Sequence, residues 1–147
     1  MNGNPRLHTF ICHASQDKPA VRKLFGLLKN EEWIDPWLDE ERILGGQKWD
    51  FEIRKAVQAS DVVIVCLTRT SITKDGYVQK EIRLALDIAD EKPEGTIYII
   101  PLKLEKCTVP DRLGTWQWIN YFSKDGHARL LDSLRARAFS LGIAAGN

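Results

Sequence analysis

Short apolar runs alternate along the chain with stretches in which apolar residues recur every three or four positions. Leu7–Cys12 is the first run and predicts a buried strand. Ser15 or Asp17 then offers a helix cap, and Pro19 suits a first turn. Val21, Leu24, Phe25 and Leu28 keep helical spacing to about Lys29. Residues 33–38 predict a second short strand, placed at an edge or bulge by Pro36. Residues 39–48 read as a loop that is flexible at Gly45-Gly46. Trp49, Ile53, Ala56 and Val57 mark a second helix, with Trp49 read as a packing residue.

The clearest strand is 61–67, where Val62 to Cys66 are apolar without interruption. A strand apolar on both faces belongs in the middle of a sheet that is covered on both sides. Residues 68–76 form a polar connection, and Val78, Ile82, Ala85 and Ile88 mark a third helix. Residues 93–95 break it and 96–104 predict a further strand. Residues 107–115 look irregular, with at most one helical turn, and 116–121 hold a last short strand. In the final helix Leu131, Leu134, Ala138 and Leu141 face one way, and Arg129, Arg135 and Arg137 another.

This alternation predicts an α/β fold: a doubly wound, five-stranded parallel sheet in the flavodoxin-like order 2-1-3-4-5. In such sheets ligands bind beyond the carboxyl ends of the strands, where the order reverses. The site is therefore expected between 13–17 and 68–77. The length suits one domain over 7–142, with a tail at 1–6 and a tail or linker start at 143–147. The 21 basic and 20 acidic residues leave a net charge of +1. That balance argues against a nucleic-acid binder and gives no reason for adsorption to a membrane. Cys12, Cys66 and Cys107 match neither a disulfide framework nor a zinc signature. They read as free thiols in a reducing, cytoplasmic compartment.

Several chemistries drop out. There is no G-x-G-x-x-G, no P-loop and no nucleophile elbow. Strand three ends in Leu67-Thr68 without the carboxylate that a receiver-type phosphoacceptor needs. His8, His13 and His127 are not spaced as metal ligands, so no metal is expected. Polar and aromatic residues at the strand ends remain: His13 and Ser15, Trp37 and Asp39, then Tyr77 and Glu81. Tyr77 and Glu81 lie four apart and share a helix face. An aromatic ring one turn before a carboxylate can stack a flat heterocycle and hold charge beside it.

Residues 10–17, Phe-Ile-Cys-His-Ala-Ser-Gln-Asp, resemble the first signature box of TIR (Toll/interleukin-1 receptor) domains. Residues 37–46, Trp-Leu-Asp-Glu-Glu-Arg-Ile-Leu-Gly-Gly, look like the end of the family's second strand and its BB loop. Residues 61–68 and 71–82 look like its third strand and the helix that follows. The likeness runs from about Leu7 to Tyr121 and has a bacterial flavour. It implies a TIR fold and NAD+ cleavage by a glutamate four residues after an aromatic, which maps onto Glu81 and Tyr77. The family often has Trp where this chain has Tyr77. His13, Ser15, Trp37, Asp39, Arg42 and Ser71 are then the candidate substrate contacts, and NAD+ is a substrate, not a cofactor.

The resemblance implies release of nicotinamide with ADP-ribose or a cyclic isomer, in bacterial defence or cell death. It further implies self-association with other TIR domains and a fused or associated sensor domain. Two other readings stay open. One is a non-catalytic scaffold that assembles through the BB loop; the other is a virulence factor that mimics host TIR adaptors.

Overall fold

In the computed structural model, which describes residues 4–38, 42–73 and 79–146, five strands form one parallel sheet in the order β2-β1-β3-β4-β5. The strands are β1 (Leu7–Cys12), β2 (Ile34–Trp37), β3 (Val62–Leu67), β4 (Ile99–Lys103) and β5 (Ile119–Asn120). The helices are α1 (Lys18–Lys29), α2 (Trp49–Ala59), α3 (Arg69–Thr73), α4 (Gln79–Asp90) and α5 (Gly126–Ser140). The strand order is the one that the alternation predicts.

β3 fixes the layering. All six of its residues are buried, and it pairs with β1 on one side and β4 on the other. Side chains alternate across a pleated strand, so each face needs its own cover. Val62, Ile64 and Cys66 join Leu7 and Ile11 beneath α1 (Val21, Leu24, Leu28) and α5 (Leu130, Leu134, Ala138). Val63, Val65 and Leu67 join Phe10 and Cys12 beneath α2 (Ile53, Val57) and α4 (Ile82, Ala85).

Both prolines in the sheet sit where no ladder bond is lost. Pro36 lies on the edge strand β2, opposite Thr9. In β4 the Lys103 carbonyl accepts from Tyr121 N–H on the β5 side (2.9 Å). Pro101, two residues earlier, faces that same side, and β5 pairs only with Leu102 and Lys103.

Several expectations need correction. The 68–76 connection contains a short helix, α3, within its described part. Trp49 does not pack: it is 60% exposed at the start of α2, and the inward residues there are Ile53 and Val57. On α5, Leu130 is buried and Leu141 exposed, whereas Arg137 is buried at 8% exposure. Arg137 Nε donates to the Asp61 carbonyl at 2.9 Å and so ties α5 to the chain entering β3. A hydrogen bond from a charged donor is stronger than a neutral one and offsets part of the cost of burying the guanidinium. Beyond α5, Ile143 is buried and the Gly146 carbonyl accepts from Arg135 Nε (3.1 Å).

Gly126 opens α5 against backbone, because a Cβ there would lie 2.4 Å from Tyr121 O and 2.7 Å from Asn120 O. Gly126→Ala should therefore destabilise by about 1–3 kcal/mol in chemical unfolding. Arg137→Met keeps an apolar stem but orphans the Asp61 carbonyl, and should lose about 1–3 kcal/mol in the same assay.

Candidate functional site

Helices that return beside parallel strands begin at the strands' carboxyl ends, so the first turns of α2 and α4 lie at the end where β1 and β3 finish. α1 belongs to one face of the sheet and α4 to the other. The chain leaving β1 and the chain leaving β3 therefore diverge, which leaves a crevice between adjacent strands.

Across that crevice the structure makes a direct tie. Thr68 Oγ1 donates to the Asp17 carboxylate, with oxygens at 3.0 and 3.2 Å. Asp17 precedes α1 but makes no side-chain cap for it, contrary to the capping expectation. Thr68 and Ser71 cap α3 reciprocally. Thr68 N–H donates to Ser71 Oγ (2.8 Å) and Ser71 N–H to Thr68 Oγ1 (3.1 Å). Ser71 Oγ donates in turn to Thr68 O (3.1 Å). Ser71, 7% exposed, is thus taken up by the corner of its own chain. On the other side Arg69 N–H donates to Glu105 Oε2 (2.9 Å), just after β4.

His13 is half-buried at the β1 exit. Its Nδ1 lies 3.0 Å from Ala14 O, so Nδ1 carries the hydrogen. Ser15 has its backbone in a short 3-10 turn, Ser15–Asp17, and its side chain lies outside the described residues. Asp39 and Tyr77 also lie outside them.

Glu81 stands in the first turn of α4 and lines a groove of about 310 Å³ between α2 and α4. Asp50, Ile53, Arg54, Arg83, Leu84 and Asp87 line it too. The helix N-terminus favours a negative side chain there. Among the described residues, none of the other sequence candidates lines this groove. Trp37 and Arg42 lie at the β2 edge, along a second groove of about 260 Å³ with His8, Asp35 and Ser60. Trp37 stacks on Phe10, with ring centroids 5.1 Å apart. Arg42 Nη2 donates to Asp35 Oδ1 and, at 3.2 Å, to Pro36 O, which anchors the following loop to β2. Thus His13 and Ser71 sit at the crevice, Glu81 on the α2–α4 wall, and Trp37 with Arg42 at the sheet edge.

Sequence reasoning missed Asp17, Thr68 and Glu105 as a linked group. The signal was available for one pair: the predicted order makes β1 and β3 neighbours, so polar residues just beyond both ends should meet. Among the described residues no cluster of three or more His, Cys, Asp or Glu could hold a metal ion. All three cysteines are free, with Cys12 and Cys66 buried, and burial pushes the Cys66 thiol far up.

Burial raises the Asp17 carboxyl above its ordinary 3.8, partly opposed by the Thr68 hydrogen bond and reinforced by Glu105. The folded chain therefore binds this proton more tightly than the unfolded chain, and stability falls as pH rises from about 4 through the raised value. Asp17→Asn removes that dependence. Paired unfolding curves should show wild type gaining on the variant as pH drops from 7 to 4.

The comparisons with known proteins agree on the fold. The TIR domain of the Toll-related receptor TRR-2 from Hydra magnipapillata superposes with a TM-score of 0.70 at 19% identity, covering 88% of this chain and 98% of that one. The TIR domains of the activated Roq1 resistosome, which directly recognises the pathogen effector XopQ, give 0.55 at 15% identity, covering 93% and 84%. No curated protein matches by sequence. A family model described as TIR domain matches residues 9–134, most of the chain, and the chain belongs to the TIR domain family.

Proposed function

We propose that this TIR domain cleaves NAD+ at the bond between nicotinamide and ribose, with Glu81 as the catalytic carboxylate. One observation carries the reading. Glu81 sits in the first turn of α4, at the carboxyl end of the sheet, on the wall of a groove. Open α/β sheets bind their ligands at that end.

One carboxylate suffices for the chemistry. Glycosidases need an acid because their leaving oxygen must take a proton. Nicotinamide leaves from a cationic ring, and the electron pair of the broken C–N bond neutralises it. Positive charge then builds on the ribose, and a fixed carboxylate stabilises it electrostatically. Water attacking the ribosyl cation releases a proton and gives ADP-ribose; an adenine nitrogen attacking instead gives a cyclic isomer. In this reading His13, at the β1 exit, serves the ribose or phosphates, and Tyr77 stacks the ring. Trp37 and Arg42, whose described contacts lie at the β2 edge, shape the adjoining loop.

A second reading, a TIR–TIR interaction module, is favoured by one surface. Leu44, Trp49 and Phe51 are 68%, 60% and 52% exposed, and they fall close together in sequence on the loop before α2 and on its first turn. Exposed apolar clusters of this kind mark association sites. The two readings are compatible if clustering assembles the site. They also fit a chain that works beside a sensor in defence signalling.

Incubating concentrated protein with NAD+ should release nicotinamide, and Glu81→Gln should cut the rate by at least about a hundredfold, while lost helix-terminus charge costs stability no more than about 1 kcal/mol. Equal rates in wild type and variant would remove Glu81 from the chemistry. By light scattering, Phe51→Glu should shift the concentration dependence of particle mass toward monomer.

A further inference from the structure

We infer that Asp17 and Glu105 act as a two-sided clamp on the corner between β3 and α3, making them positioning residues for Glu81. The inference rests on the proposed NAD+ cleavage. The corner is Thr68 to Ser71. Its internal polar groups satisfy each other: two backbone N–H groups, two hydroxyls and one carbonyl are paired within four residues. α3 has only five residues, too few to hold a helix unaided.

Two carboxylates from neighbouring strand ends attach this corner to the rest of the sheet. Asp17, from beyond β1, takes the Thr68 hydroxyl hydrogen. Glu105, from beyond β4, takes the Arg69 N–H. β1 and β4 flank β3, so the corner is gripped from both sides. The chain that leaves it leads to α4 and Glu81. A carboxylate that must sit beside a developing ribosyl cation loses up to about a hundredfold in rate when displaced by about 1 Å.

The same geometry separates structural from chemical carboxylates at this end of the sheet. Asp17 and Glu105 are half-buried and hydrogen-bonded to the corner. The groups that act electrostatically on Asp17 are Glu105 and His13, and burial dominates both. Asp17 also acts electrostatically on the thiols of Cys66 and Cys107, so it lies close to both.

Four variants test the clamp. Thr68→Val removes the hydroxyl, and Thr68→Ser restores it. Asp17→Asn and Glu105→Gln keep an acceptor oxygen but lose the charge. Nicotinamide release should show Thr68→Val with kcat down roughly tenfold and KM within about twofold, and Thr68→Ser near wild type. Asp17→Asn and Glu105→Gln should fall between them. Amide hydrogen exchange at Arg69 and Ser71 should quicken in Thr68→Val and return to normal in Thr68→Ser. A Thr68→Val enzyme with wild-type kcat, or a loss no larger than its unfolded fraction, overturns the clamp. If wild type itself releases no nicotinamide, the proposed activity falls and the clamp is read from NMR alone. A moved Glu81 amide resonance in Thr68→Val then supports it, and an unmoved one overturns it.

Discussion

Burial of β3 on every side is the constraint from which the rest follows. Its backbone is paired with β1 and β4, and all six of its side chains are out of water. An apolar strand of this kind is stable only if both faces of the sheet are covered. That requirement puts α1 and α5 on one face and α2 and α4 on the other. It also makes the chains leaving β1 and β3 part in opposite directions. The crevice at the carboxyl end is therefore a consequence of core formation, present before any functional residue is placed in it.

Parting chains create a structural cost as well as a crevice. The polar groups at both strand ends lose sheet partners and need others. The Thr68–Ser71 corner meets this need locally, Asp17 meets it across the gap, and Glu105 meets it from the β4 side. The hydroxyls of Thr68 and Ser71 are thereby spent on the scaffold. Glu81 sits on a separate wall, at a helix start that suits a negative charge. Scaffold carboxylates and the candidate chemical carboxylate thus occupy one end of the molecule in different surroundings.

The errors in the sequence reading share one cause. Helical periodicity says which residues share a face; it does not say which neighbour that face meets. Arg137 looks like a solvated residue until the Asp61 carbonyl is found beside it. Trp49 looks like a core residue until α2 is docked, when Ile53 and Val57 are buried and Trp49 and Phe51 in its first turn stay exposed. The family likeness makes Ser71 a substrate contact, and residue type makes Asp17 a helix cap for α1, with neither saying which protein group each side chain meets. Their actual partners belong to the corner and to the opposite strand end.

Sequence alone determined the α/β class, the strand order, the central place of β3, the end of the sheet where the crevice opens, and the family resemblance. These depend on runs and periods of apolar residues, which are local and survive without knowledge of contacts. Tertiary structure decided which polar side chains belong to the scaffold. It drew Asp17, Thr68 and Glu105 together, moved Trp37 and Arg42 to the β2 edge, and set Glu81 on the α2–α4 groove. Hydrogen bonds are short and directional, so their partners are settled only when distant segments are brought within about 3 Å of each other.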